Sequence, residues 1–224
     1  MNIVCIGSHP DDVELAMGGS ILRMKKRGHT VTIVDLSNGE PTPYGSLEIR
    51  KNESLKSASI LGVDRITLAN KNRYIYDTIE ARNDLASIFR KLKPDLLFTH
   101  YDYDSHPDHG SGTKLTEAAR FYSKLTKTEI EGEPFFPYFI AYYFPNHTHL
   151  NLLPSFCIDI TEEIHKKLEA LNAYESQFIK KGDGIIIKEI EAINKYFGLR
   201  IKKSYAEPFF LKESLDLDFF NKLI

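Results

Sequence analysis

Short, wholly apolar runs alternate along this chain with stretches whose apolar residues fall three and four apart, and this alternation narrows the choice of fold most. Residues 3–7 form a run suited to a strand buried on both faces. From Val13, the positions Val13, Met17, Ile21 and Met24 lie at helical spacing. Lys25, Lys26 and Arg27 suit the negative end of that helix's dipole, and Gly28 supplies a stop. A second strand is predicted over 31–36, a turn-rich loop over 37–46 and a helix over 47–61. A strand near 65–68 follows, then a helix marked by Leu85, Ile88, Phe89 and Leu92 that Pro94 closes. Residues 95–99 read as a fourth strand, and Leu115, Ala118, Ala119 and Tyr122 mark the helix beyond it. Strands separated by helices predict an α/β fold, a doubly wound and mostly parallel sheet with helices on both faces.

The second half is less regular. Strands are expected at 138–144, 156–160 and 205–211, with helices near 162–178 and 186–197. A length of 224 residues suits one domain, with 1–125 as the core and 126–224 as an extension completing the same fold. The formal net charge of −2 argues against a general nucleic-acid-binding surface, because lysines and acids are interspersed. The two cysteines, Cys5 and Cys157, lie in apolar runs and form neither a disulfide framework nor a Cys-x-x-Cys pair. The chain opens directly into a strand, and no stretch approaches the roughly 20 apolar residues of a membrane span. A cytoplasmic chain with no membrane partner is the expectation.

In an open parallel sheet, ligands bind outside the carboxyl ends of the strands. His9-Pro10-Asp11-Asp12 directly follows the first strand, and Ser105-His106-Pro107-Asp108-His109 follows the fourth. Two polar clusters distant in sequence are therefore expected to meet at one end of the sheet. Imidazoles with carboxylates suit zinc, and three protein ligands leave a position open for water. A carboxylate beside the ion that does not bind it can act as general base. Taken singly, each residue has a plainer reading. Asp-Asp after a strand is an N-cap with a first-turn acid, and His106 is a surface or capping histidine. The pairing of the motifs at two strand ends favours the metal site. His29 and His165 read as structural, and His100, near the site, as the end of its strand. His147 and His149 read either as a pocket wall or as a turn.

The segments His9-Pro10-Asp11-Asp12 and His106-Pro107-Asp108-His109 resemble the paired signatures of the LmbE-like/PIG-L family of zinc-dependent N-acetylglucosamine de-N-acetylases. Ser37-Asn38-Gly39-Glu40 and Arg50 resemble the loop and arginine after that family's second strand. Tyr174-Glu175-Ser176-Gln177-Phe178 and Tyr205-Ala206-Glu207-Pro208-Phe209 resemble C-terminal segments of its bacillithiol-type members. The resemblance implies a single-domain, Rossmann-like fold in which His9, Asp12 and His109 hold zinc, with iron(II) as the other candidate ion. It implies Asp11 as general base, His106 as oxyanion stabiliser or acid, and Asp108 as a residue orienting an imidazole. Arg50 and Glu40 would contact the substrate, an N-acetyl sugar, and a homo-oligomer, such as the hexamer seen among bacterial relatives, is implied.

Two positions depart from the pattern. Ser105 stands where the enzymes acting on N-acetylglucosaminyl-malate carry arginine, and Asn70-Lys71-Asn72-Arg73 lacks a Pro-Asp-Gly-like turn. Serine cannot replace the bidentate grip of an arginine on a carboxylate, so Lys71 or Arg73 is the candidate replacement cation. Three other functions compete. An iron oxygenase would use a similar triad but on a β-barrel. A sugar- or nucleotide-binding module would carry Gly-x-Gly-x-x-Gly after the first strand, whereas Gly18-Gly19 comes too late. A zinc hydrolase of non-sugar amides would share the same site.

Overall fold

The computed structural model describes residues 1–144 and 153–223. Strands β1 (Asn2–Gly7), β2 (Thr30–Asp35), β3 (Asp64–Thr67), β4 (Leu96–His100) and β5 (Phe139–Tyr143) all run parallel. Strands β6 (Phe156–Asp159) and β7 (Ala206–Phe210) complete the sheet, with β7 antiparallel to both β5 and β6. The seven strands are ordered β3-β2-β1-β4-β5-β7-β6. The C-terminal strands thus extend the sheet that the first half begins.

Pleating sends successive side chains to opposite faces, and the sequence fills both. Ile3 and Cys5 join one core with α1 (Asp12–Lys26) and α5 (Ile164–Asn172). Val4 and Ile6 join the other, with α3 (Ile79–Leu92) and α4 (Pro107–Tyr122). A chain apolar at every inner position of β1 has no solvent face to offer, which is why helices cover both sides. Helix α2 (Leu47–Leu61) matches the expected bounds, with Ser46 capping the amide of Ile49 at 3.2 Å. Helix α7 (Ile185–Arg200) packs Ile187 and Ile190 against Leu15, Leu171, Tyr174 and Phe178.

Four elements differ from the sequence expectation. Helix α4 begins at Pro107, with proline at the first helical turn and Asp108 beside it, so the second signature is itself a helix start. Helix α3 begins at Ile79, where Thr78 caps the Ala81 amide at 3.2 Å. The helix expected over 162–178 ends at Asn172, and a π-turn spans Glu175–Ile179 before the single turn α6 (Lys180–Gly182). Two tertiary anchors account for that break. The Tyr174 hydroxyl donates to Glu14 Oε1 at 2.6 Å, and the Ser176 amide donates to Glu53 Oε1 at 2.6 Å. A short helix α8 (Leu217–Leu223) has no counterpart in the sequence expectation. His147 and His149 lie outside the described residues.

Helix α1 is broken at Met17, whose φ of −143° and ψ of 21° are not helical. The break frees amides inside the helix, and a distant carboxylate accepts them. Glu207 of β7 takes the amides of Gly19 and Ser20 at 3.0 and 2.6 Å, and the ammonium of Lys167 at 2.6 Å. Both charged side chains are fully buried, and Asn194 Oδ1 accepts from Lys167 at 2.8 Å. Removing one partner of such a pair strands the other charge, at a typical cost of about 3–5 kcal/mol. Glu207→Ala is therefore expected to lower unfolding stability by about that amount. Urea titration measures it, and a loss below about 1 kcal/mol would show the pair to be dispensable.

Candidate active site

The strand order reverses between β1 and β4, and the loops leaving these two strands face each other across that point. Backbone contacts hold them together. The Ser8 amide donates to His100 Nε2 at 2.9 Å, and Ser8 Oγ donates to the Asp108 carbonyl at 2.9 Å. Ser37 Oγ, after β2, donates to the Ser8 carbonyl at 2.8 Å. Helix α4 can approach this closely because residue 112 is glycine. A Cβ there would lie 2.6 Å from Ser8 Oγ.

The two signatures meet as the topology predicts. His9, Asp12 and His109 are buried and place one ligating atom each within 4.8 Å of the others. Each imidazole is backed by a different carboxylate. His109 Nδ1 lies 2.6 Å from Asp104 Oδ2, and His9 Nε2 lies 3.0 Å from Asp108 Oδ2. The nitrogen held by the outer carboxylate keeps its proton, so the inner nitrogen offers a lone pair once a cation displaces the proton it would otherwise share with Asp12. Those inner nitrogens, His109 Nε2 and His9 Nδ1, each lie 3.3 Å from an oxygen of Asp12. Two lone pairs and one carboxylate converging on a point are the donor set of a divalent cation.

The electrostatics agree. Burial disfavours charge on His9, yet Asp108 and Asp12 push its pKa up to about 9. Burial likewise opposes charge on His109, and Asp12 and Asp104 push it up to about 10. Burial opposes ionisation of Asp12, but His109 and His100 hold it well below the usual carboxylate range. Positive charge is favoured at this point, and a metal ion could supply it by replacing protons.

Asp11 and His106 flank the triplet. Burial pushes the Asp11 carboxyl up to about 6, against the pull of the Arg50 guanidinium. His106 is the N-cap of α4, with its Nδ1 accepting the Asp108 amide at 3.2 Å. The plainer capping reading and the functional one are thus both compatible with this histidine. Accepting at Nδ1 leaves the ring proton on Nε2. Burial, and then the neighbouring His109 and His9, push its pKa down to about 4. Both residues line a cleft of about 490 Å³, whose outer wall includes Gln177, Phe178, Lys181 and Ile185 of the C-terminal half. A cleft of about 610 Å³ beside α1 and the end of α7 contains none of the signature residues.

A model of the PIG-L family, described as GlcNAc-PI de-N-acetylase, matches residues 4–120, just over half of the chain. The chain belongs to the PIG-L family. Among curated relatives, it is 27% identical over 221 residues to the diacetylchitobiose deacetylase of Thermococcus kodakarensis, covering 92% of this chain and 80% of that one. It is 28% identical over 196 residues to the probable N-acetyl-alpha-D-glucosaminyl L-malate deacetylase 2 of Bacillus anthracis, covering 80% and 83%. Among solved structures, the conserved protein TT1542 from Thermus thermophilus superposes with a TM-score of 0.88 at 33% identity, over 98% of both chains. As a PIG-L protein, the chain is a hydrolytic N-deacetylase.

The remaining expected residues of this PIG-L deacetylase occupy varied places. Arg50 lines the cleft, but its guanidinium donates to Asp11 Oδ2 at 2.9 Å and to the Pro10 carbonyl at 2.7 Å. The Glu40 carboxylate accepts the Thr42 amide at 2.9 Å and the Thr42 hydroxyl at 2.5 Å, shaping its own loop. Arg73 is exposed, and its backbone amide donates to Asp108 Oδ2 at 2.7 Å. Among the described residues, the cationic side chains that line the cleft are Arg50 and Lys181, not Lys71 or Arg73. Ser105 is exposed just before α4.

Two residues beside the site had no role assigned from the sequence. His100 does end β4, and it also stacks on His109 with ring centroids 4.0 Å apart and lies 3.3 Å from Asp12. Its position at a strand's carboxyl end was the available signal. Asp104, buried against His109, had only its place in the loop after β4 to mark it. Removing an outer carboxylate of this kind typically costs about 10–100-fold in metal affinity. Asp104→Ala is expected to weaken metal binding by about that factor, read by chelator competition. Unchanged affinity would show that Asp104 does not orient His109.

Proposed function

We propose that this chain is a zinc-dependent hydrolase that removes the N-acetyl group from an N-acetylglucosamine-type sugar conjugate, releasing acetate and an amino sugar. The observation that carries this reading is the pair of carboxylate-backed imidazoles turned on Asp12, with Asp11 beside them in the cleft. His9, Asp12 and His109 would hold the ion. Two nitrogens and one oxygen suit zinc, and iron(II) fits the same donors. A bound divalent ion polarises the acetamide carbonyl and makes water a better nucleophile near neutral pH.

The chain's own residues do the rest. Asp11 accepts a proton from the attacking water as its oxygen bonds to the carbonyl carbon. The Nε2–H of His106 donates a hydrogen bond to the developing oxyanion, in the role of a preorganised donor. The C–N bond then breaks, and the nitrogen takes the proton that Asp11 gained. His106 holds a single ring proton while capping α4 through Nδ1, so donating without full transfer suits it. Asp108 holds the His9 ring, and Gln177, Phe178 and Lys181 line the side of the cleft where the sugar and its substituent would lie. The exposed Ser105 offers no cation for a malate carboxylate, whereas Lys181 on the cleft wall does, so an acidic conjugate remains within the substrate class.

Acetate release from a panel of N-acetylglucosamine conjugates and simple acetamides tests the substrate class. Activity is expected on the sugars, lost on chelation and regained with zinc. Asp11→Asn should keep stoichiometric metal and lose turnover by about 10²–10⁴-fold. Asp12→Ala should lose the metal itself. Full turnover by Asp11→Asn would remove the base assignment, and a wild-type protein that binds no divalent ion would remove the reading altogether.

A further inference from the structure

The backbone at Asp11 is unusual. Its φ of 122° with ψ of −27° lies in a region that residues with a Cβ rarely adopt. Such a conformation persists only where the surroundings over-determine it. Asp11 occupies the N-cap position of α1, yet its side chain makes no capping hydrogen bond. Its carbonyl accepts the Leu15 amide at 3.0 Å and the Asp12 amide donates to the His9 carbonyl at 3.3 Å, so local bonds fix the backbone on either side while the side chain is held from elsewhere.

Arg50 is placed to hold it. It stands in the first turns of α2, is 2% exposed, and directs both terminal nitrogens at the first signature. Nη1 donates to Asp11 Oδ2 at 2.9 Å and Nη2 to the Pro10 carbonyl at 2.7 Å, so one rigid fork grips the side chain of residue 11 and the carbonyl preceding it. The fork has little freedom. Gly39, with φ of 74°, lies so close that a Cβ would stand 2.6 Å from Nη2, 2.9 Å from Nε and 2.9 Å from Pro10 Cδ. The Tyr174 ring lies 5.9 Å from the guanidinium carbon. Nε is buried without a hydrogen-bond partner, so that donor cannot reach a substrate.

We propose that Arg50 is a positioning residue that holds Asp11 in its strained backbone conformation with the carboxylate aimed into the cleft, rather than chiefly a ligand for sugar hydroxyls. The proposal rests on Asp11 being the general base. A fork that grips a carbonyl and a carboxylate in succession resists rotation about the bonds between them, which a single charge would not. Losing it releases the strain and lets the carboxylate leave the attacking water. A displacement of about 1 Å at a reacting group is worth about 100-fold in rate.

The test is Arg50→Ala together with Arg50→Lys, each compared with wild type for kcat, KM, metal content and crystal structure. A positioning role predicts that Arg50→Ala loses about 100-fold in kcat with KM within about two-fold of wild type. Metal content should stay stoichiometric, since the Arg50 guanidinium bonds to Asp11 and Pro10 and not to the three ligands. Arg50→Lys keeps the charge but not both arms of the fork, and should recover only part of the loss. A KM that rises with kcat unchanged would overturn the proposal in favour of sugar binding. So would full recovery by lysine, which would reduce the role to charge. The crystal structure is independent of turnover. Asp11 should relax to negative φ in Arg50→Ala, and its persistence near 122° would overturn the proposal even if the substrate class were wrong.

Discussion

The contact on which this structure depends is the one between the loop leaving β1 and the first turn of α4. Ser8 reaches across to His100 and to the Asp108 carbonyl, and Gly112 removes the side chain that would keep them apart. That contact turns two sequence-distant signatures into one buried site. Its cost is a concentration of ionisable groups away from water, which is unfavourable unless each group is paired. The pairing is systematic: His9 with Asp108, His109 with Asp104, Asp11 with Arg50. What these pairs leave over, the two inner imidazole nitrogens and the Asp12 oxygens they face, then defines the site.

Buried charge recurs below the site and serves a different end. Arg65 on β3 donates to both oxygens of Asp35 at 2.7 and 2.6 Å and to Glu14 at 2.6 Å, while Tyr174 also donates to Glu14. Glu207 accepts the amides freed by the break in α1. These groups tie the first helix, which carries Asp12, to β2, β3, β7 and the C-terminal helices. The C-terminal half thereby reaches the chemistry twice. It fixes the helix that carries Asp12, and through Gln177, Phe178 and Lys181 it shapes the cleft in front of the signature residues.

Most elements of the first half were legible because their periodicity is unmixed. Residues 3–7 are apolar throughout, and α2 carries a serine cap and a glycine stop. The break at Asn172 was not legible, since Tyr174 and Ser176 are drawn off the helix by Glu14 and Glu53, more than 100 residues earlier in the chain. The start of α4 was missed for a different reason. Its first turns are polar, so apolar spacing begins only at Leu115, although Pro107 and Asp108 are good helix-start residues. In the site, the signature residues were found by motif and strand position. Asp104 and the wall from 181 to 185 have no local pattern that distinguishes them from ordinary loop and helix surface, and the resemblance that marks Gln177 and Phe178 gave them no role.

The sequence by itself determined the alternation of strands and helices, the strand ends at which polar clusters fall, and the residue types that suit a divalent ion. These follow from local periodicity and from the chemistry of single side chains. The tertiary structure decided which nitrogen of each imidazole faces Asp12, which carboxylate stands behind it, and that Arg50 grips Asp11 and Pro10. Those outcomes depend on distances between groups brought together only by the folded sheet, and no spacing along the chain encodes them.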